Sequence, residues 1–212
     1  MKLAVFGATG GVGTQLVKLA LEQGHTVTAV VRNPAKFTLP NHEALHLVTV
    51  PDLADTGRVQ AAVSGSDAAL SGVGPSTSKD VTAASVPTRH ILTALKGAGI
   101  ERFVAVSAAP VGPVPEDDSF LNKRVVYTMT RRFFAGIYGD LAVMEEDIAA
   151  SGLRWTVVRP PKLTDKAIRD YRTVIGGNVP GGMFASRAEV ADAMLKLLTD
   201  DRAVNQAVGV AR

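Results

Sequence analysis

The sequence predicts an α/β fold: a doubly wound, mainly parallel sheet flanked by helices, within a single domain. Three observations carry the prediction. Short β-branched runs alternate with longer helical patterns, as in βαβ units around a parallel sheet. A glycine-rich turn joins the first run to the first helical pattern. The length, 212 residues with 46% hydrophobic and 20% charged side chains, suits one packed α/β domain rather than a disordered chain.

In chain order, strands are expected over 2–6, 26–31, 44–49, 68–71, 102–106 and 154–158. Helices are expected between them over 12–23, 55–63, 82–98 and 138–150. Gly24, Gly65, Gly99 and Gly152 each follow a helical run, where a left-handed cap ends a helix. Ser186 with Glu189 forms a capping box that opens a last helix reaching about Leu198, and 207–210 reads as the last strand. The run 110–118 carries Pro110, Gly112, Pro113 and Pro115 and reads as loop. The stretch 162–182 ends in glycines and one proline, and a short strand is expected near 173–175.

The composition narrows the chemistry. The absence of cysteine excludes a disulfide framework, a thiolate nucleophile and any cysteine-ligated metal. The 23 Lys+Arg and 20 Asp+Glu are interspersed, so no stripe of positive charge is expected to track nucleic acid. The apolar stretch after Lys2 breaks at Gly7 and Gly10, and no apolar run has the length of a membrane span. A cytoplasmic protein with neither nucleic-acid nor membrane partners is expected. His42 and His46 lie four apart without a third ligand, so no metal site is expected. Glu145, Glu146 and Asp147 read as a solvated helix face, and Trp155 as a core residue of the sixth strand.

The turn Phe6-Gly7-Ala8-Thr9-Gly10-Gly11-Val12-Gly13 has the glycine spacing of a pyrophosphate loop. Gly7 would make the turn, Gly10 would let backbone approach the phosphates, and Gly13 would allow close helix–strand packing. The phosphates would sit on the positive end of the first helix. A carboxylate after the second strand would bind the ribose 2′-hydroxyl of NAD. Arg32 stands there instead, and no Asp or Glu occurs between Glu22 and Glu43. Arg32 is suited to clamp a 2′-phosphate, with Lys36 as a second charge, which favours NADP(H). Asp52 and Leu53 would flank the adenine. Gly72, Val73 and Gly74 would border the ribose and pyrophosphate at the switch-point crevice.

On these residues the chain resembles the atypical short-chain dehydrogenases/reductases. Within them it is similar to the NAD(P)-binding group that includes flavin reductase/biliverdin-IXβ reductase and the NmrA-like regulators. The resemblance runs through Gly7 to Gly13, Val31-Arg32, 102–109, the segment SGLRWTVVRPP at 151–161, and 186–191. It implies a Rossmann-type fold. Short-chain dehydrogenases usually pair an acid–base tyrosine with a lysine four residues later. Here Tyr138 is followed at that spacing by Ala142, and no lysine occurs between Lys123 and Lys162. Ser107 remains at the end of the fifth strand. The flavin/biliverdin reductases likewise lack the pair, and Pro160-Pro161-Lys162 matches their Pro-Pro-basic segment, with lysine where they carry histidine.

The resemblance implies an NADPH-dependent reductase passing hydride to a planar conjugated acceptor: FMN or FAD, a quinone, or a tetrapyrrole. Ser107 would orient the nicotinamide or acceptor, Ala108 and Pro160 would line the cofactor, and Lys162 would hold an acceptor carboxylate or phosphate. The acceptor crevice is expected from about 107–138 and 160–185, in a monomer or homodimer. A non-catalytic NADP-binding sensor of the NmrA-like type is the alternative, followed by a sugar or small-metabolite epimerase or dehydratase.

Overall fold

The computed structural model describes residues 1–75, 80–113 and 135–212. Its strands are β1 (Lys2–Phe6), β2 (Thr26–Val31), β3 (Leu45–Thr49), β4 (Ala68–Ser71), β5 (Arg102–Val106), β6 (Arg154–Arg159), β7 (Lys162–Thr164), β8 (Arg172–Ile175), β9 (Phe184–Ser186) and β10 (Gln206–Ala211). The helices are α1 (Gly11–Glu22), α2 (Thr56–Val63), α3 (Ser85–Gly97), α4 (Ala135–Ala149) and α5 (Arg187–Leu197). Eight strands form one sheet in the order β3-β2-β1-β4-β5-β6-β10-β8, parallel except where β8 runs against β10. The order reverses between β1 and β4, the switch point where open α/β sheets bind ligands.

The expected doubly wound fold is therefore the one observed. Successive residues of β1 point to opposite faces and feed opposite cores. Leu3 and Val5 pack in the layer of Leu16 and Val17 of α1 and Val190 and Met194 of α5. Ala4 and Phe6 pack in the layer of Val59 of α2, Ile91 and Leu95 of α3, and Met144 and Ile148 of α4. Side chains of this size contribute about 1.5–3 kcal/mol each when fully buried. The four glycines after the helical runs have φ between +71° and +78°, and the Ser186–Glu189 capping box is formed in both directions at 3.0 and 2.7 Å.

Some details differ from the sequence reading. The strand expected near 173–175 is β8, but two further strands were not expected: Lys162–Thr164 pairs in parallel with Phe184–Ser186 as a separate two-stranded sheet. Helix α3 begins at Ser85 rather than at 82. There the buried Asp140 of α4 accepts from Ala84 N at 2.8 Å and Ser85 N at 3.1 Å, so a carboxylate from another helix sets the start. Arg102 opens β5, as expected, and is a buried cation. It donates to Leu197 O, Leu198 O, Arg154 O and Thr156 Oγ1 at 2.6–3.0 Å, closing the carboxyl end of α5. Burial, followed by the charge of Arg154, lowers its pKa to about 10.

Candidate functional site

The carboxyl ends of β1 and β4 lie side by side, with Phe6 opposite Ser71, and the glycine-rich turn leaves from this edge. Gly7 has φ +70°, and a Cβ there would lie 2.7 Å from the backbone of Gly72. A Cβ on Gly13 would lie 2.0 Å from Gly7 O, so α1 packs directly on the turn. Gly10 N donates to Gly7 O at 2.9 Å and closes the loop. Thr9, Gly10 and Gly11 are exposed, whereas Val12 and Gly13 are buried. Gly10 caps α1 with no side-chain hydrogen bond, and the first turn holds no acidic residue. The amides of that turn are thus free of a competing carboxylate, and the dipole favours an anion.

The other residues expected to touch a cofactor lie along the same edge. Arg32 follows β2 directly, is exposed, and makes no ion pair among the described residues. Lys36 is exposed in the turn Pro34–Lys36, which Asn33 caps by accepting from Ala35 N at 3.0 Å. Asp52 is exposed and accepts from Ala54 N, and Leu53 is half-buried against the core. Gly72 and Val73 wall the loop, and a Cβ on Gly74 would meet open space.

At the ends of β5 and β6, Ser107 N donates to Val158 O at 2.8 Å and Ala109 N to Pro160 O at 2.8 Å. This pairing holds Ser107, Ala108 and Pro160 together. The Ser107 Oγ is buried and finds no hydrogen-bond partner among the described residues. Lys162 is exposed at the start of β7, its Nζ 6.0 Å from the Phe184 ring centroid. Tyr138 is half-buried on α4, and burial raises its phenol above the ordinary range. The expected crevice segment from 114 to 134 lies outside the described residues.

One reading of charge requires correction. Glu145 is not on a solvated face: it accepts from Nε and Nη2 of Arg159, at the end of β6, and both side chains are close to nine-tenths buried. The partner arrives from a strand, which helix periodicity does not show. Asp147 also pairs, with Arg89 of α3 at 2.7 Å. Trp155 is partly buried against the core, as expected.

Two residues that the sequence reading did not single out border the site. Asn178 is buried and donates to Ala109 O at 2.8 Å and Pro113 O at 2.9 Å, tying the β8–β9 connection to the loop after Ser107. Arg187, the first residue of α5, lies against Gly11: a Cβ on Gly11 would be 2.4 Å from its Cδ. The glycines around it were the available signal, since a missing side chain leaves room for a long one. No cluster of three potential metal ligands occurs among the described residues. No described helix is long and apolar enough to cross a membrane.

A tight glycine turn with uncapped amides, and an arginine after β2 with no ion pair among the described residues, make a cradle that fits a dinucleotide. Solved structures share the surrounding fold. A short-chain dehydrogenase/reductase of the wide type from Veillonella parvula, solved in complex with NADP, aligns with a TM-score of 0.81 at 17% identity, over 100% of this chain and 94% of that one. An oxidoreductase from Lactococcus lactis aligns at 0.79 and 17% identity, over 100% and 91%. A Streptococcus pneumoniae protein provisionally named an NADH-flavin reductase aligns at 0.79 and 21% identity, over 100% and 99%. At these identities the likeness is one of fold. The family model described as NAD(P)H-binding matches residues 7–201, from the first glycine of the loop to beyond the last helix, and the chain belongs to that family.

Proposed function

We propose that this protein is an NADPH-dependent reductase that passes hydride to a planar conjugated acceptor such as a free flavin, a quinone or a tetrapyrrole. The nicotinamide supplies the hydride when bound. The chain's own residues bind and orient. Arg32 and Lys36 hold the 2′-phosphate, the amides opening α1 hold the pyrophosphate, and Asp52 and Leu53 flank the adenine. Gly72, Val73 and Gly74 leave space for backbone to border the ribose. Ser107, with Ala108 and Pro160 beside it, orients the reacting ring through its Oγ. Lys162 holds an anionic group of the acceptor, in a crevice drawn from 107–138 and 160–185.

The observation that carries this reading is the residue four positions after Tyr138, which is alanine and not lysine. A tyrosine that acts as acid–base near neutral pH needs its phenol lowered, usually by a neighbouring cation. Burial raises this one, and the residue four positions on is Ala142. Carbonyl reduction needs a proton delivered to oxygen, whereas a delocalised acceptor takes hydride and can draw its proton from water. The name given to the Streptococcus pneumoniae fold relative points the same way.

The test is steady-state NADPH oxidation against FMN, a neutral quinone and biliverdin. Tyr138→Phe should cost less than about tenfold, against about 10²–10⁴-fold for a true general acid. Ser107→Ala should cost more than Tyr138→Phe. Lys162→Ala should raise KM for FMN and leave the quinone unaffected. A collapse confined to Tyr138→Phe would restore a conventional carbonyl reductase. Tight NADPH binding without turnover on any acceptor would replace the enzyme with a sensor.

A further inference from the structure

We propose that Arg187 binds the cofactor pyrophosphate, presented to the amino end of α1 by the amino end of α5. The inference rests on the reading that the phosphates occupy the glycine-rich loop. Helices α1 and α5 cover the same face of the sheet and share one core layer. Their first residues meet there: the Cδ and Nε of Arg187 occupy the space a Gly11 side chain would fill, 2.4 and 2.5 Å from its Cβ position. Any larger residue at 11 would push the guanidinium away from the uncapped turn. Glycine at 11 therefore does what the pyrophosphate spacing of Gly7, Gly10 and Gly13 does not itself require: it admits a cation.

The position of Arg187 is fixed from behind and loose in front. Behind it, Ser186 and Glu189 close the capping box, and both are fully buried. In front, Arg187 Nη1 donates to Asp165 Oδ1 at 2.6 Å, but the Asp165 side chain is 86% exposed. An ion pair with so exposed a carboxylate contributes little, and solvent can take over the aspartate when the arginine turns away. A pyrophosphate on α1 offers the guanidinium two negative charges and a bidentate geometry that one exposed carboxylate does not match. Asp165 keeps the side chain extended over Gly11 until the phosphates replace it.

The role differs from that assigned to Arg32. A 2′-phosphate reader distinguishes NADPH from NADH; a pyrophosphate reader strengthens both. Dissociation constants for NADPH and NADH would be measured by titration for the unmodified protein, Arg187→Ala, Arg187→Gln, Asp165→Ala and Gly10→Val, with thermal melts for each. Arg187→Gln keeps most of the stem over Gly11 and covers the case in which Arg187→Ala does not fold. Both Arg187 variants should bind NADPH and NADH about 10–100-fold more weakly, by the same factor for each, with a shallower salt dependence. Asp165→Ala should bind both at least as tightly as the unmodified protein. Unchanged affinity in Arg187→Gln, alongside lost binding in Gly10→Val, would overturn the inference and leave the loop reading intact. Weakening of NADPH alone would overturn it in favour of a 2′-phosphate contact. An equal loss in Asp165→Ala would overturn it by showing that the ion pair merely supports the fold. Unchanged affinity in folded Gly10→Val would remove the loop reading and this inference with it.

Discussion

Arg32 is an exposed cation at the carboxyl end of β2, and in the proposed site its consequence would be selectivity. It stands one residue beyond Val31, where the direction of β2 fixes it. A charge-assisted contact to a 2′-phosphate should make NADPH bind more tightly than NADH by about 1–3 kcal/mol. Arg32→Ala should abolish most of that difference, and fluorescence titration with the two cofactors reads it directly. Equal dissociation constants in the unmodified protein would remove Arg32 from the site. The position was legible because a short distance along the chain determines it. Arg187 and Glu145 were not, because their neighbours come from remote segments: Gly11 opens the chain's first helix, and Arg159 ends a strand. Side-chain type announces a charge; only packing decides what it meets.

The helices and strands of the sheet were legible for the same reason that Arg32 was, since periodicity and caps are local. β7 and β9 were not. Each is three residues long, too short for alternation to register, and among the described residues each pairs as a strand only with the other. The start of α3 was misjudged because its cap is borrowed. Asp140 supplies from α4 the acceptors that a serine or aspartate before a helix would normally supply. Asp140→Ala would leave two buried N–H groups without partners. It should destabilise the fold by about 2–3 kcal/mol, lowering Tm by roughly 5–10 °C in a chain of this size. Scanning calorimetry measures this, and a shift under about 2 °C would mean that water replaces the carboxylate. Because α3 follows the crevice edge of β4, the same variant should loosen cofactor binding only if the helix itself moves.

At the scale of the whole molecule, the sheet has two unequal halves. On the β3 side of the switch point, β2 pairs with β1 and β3, both made soon before or after it, although β1 must also wait for β4. On the other side, β10 lies between β6 and β8, parallel to one and antiparallel to the other. Both neighbours precede it in the chain, and β8 has no other partner strand among the described residues. During synthesis, β6 therefore emerges with one open edge, and β8 emerges with nothing to pair with, until β10 appears. Long-range strand closure is slow because the loop entropy is spent before the contacts form. An open edge that persists is a template for pairing with another chain. Refolding should accordingly show two phases in pulsed hydrogen exchange: early protection of amides in β1, β2 and β3, whose pairings are short-range, and later, joint protection in β6, β8 and β10. Simultaneous protection of all six would show that the sheet closes as one unit. In a crowded ribosomal queue, the interval between β6 and β10 is when a newborn copy is most exposed to its siblings, and a holdase that masks that one edge would raise the yield without touching the mature protein.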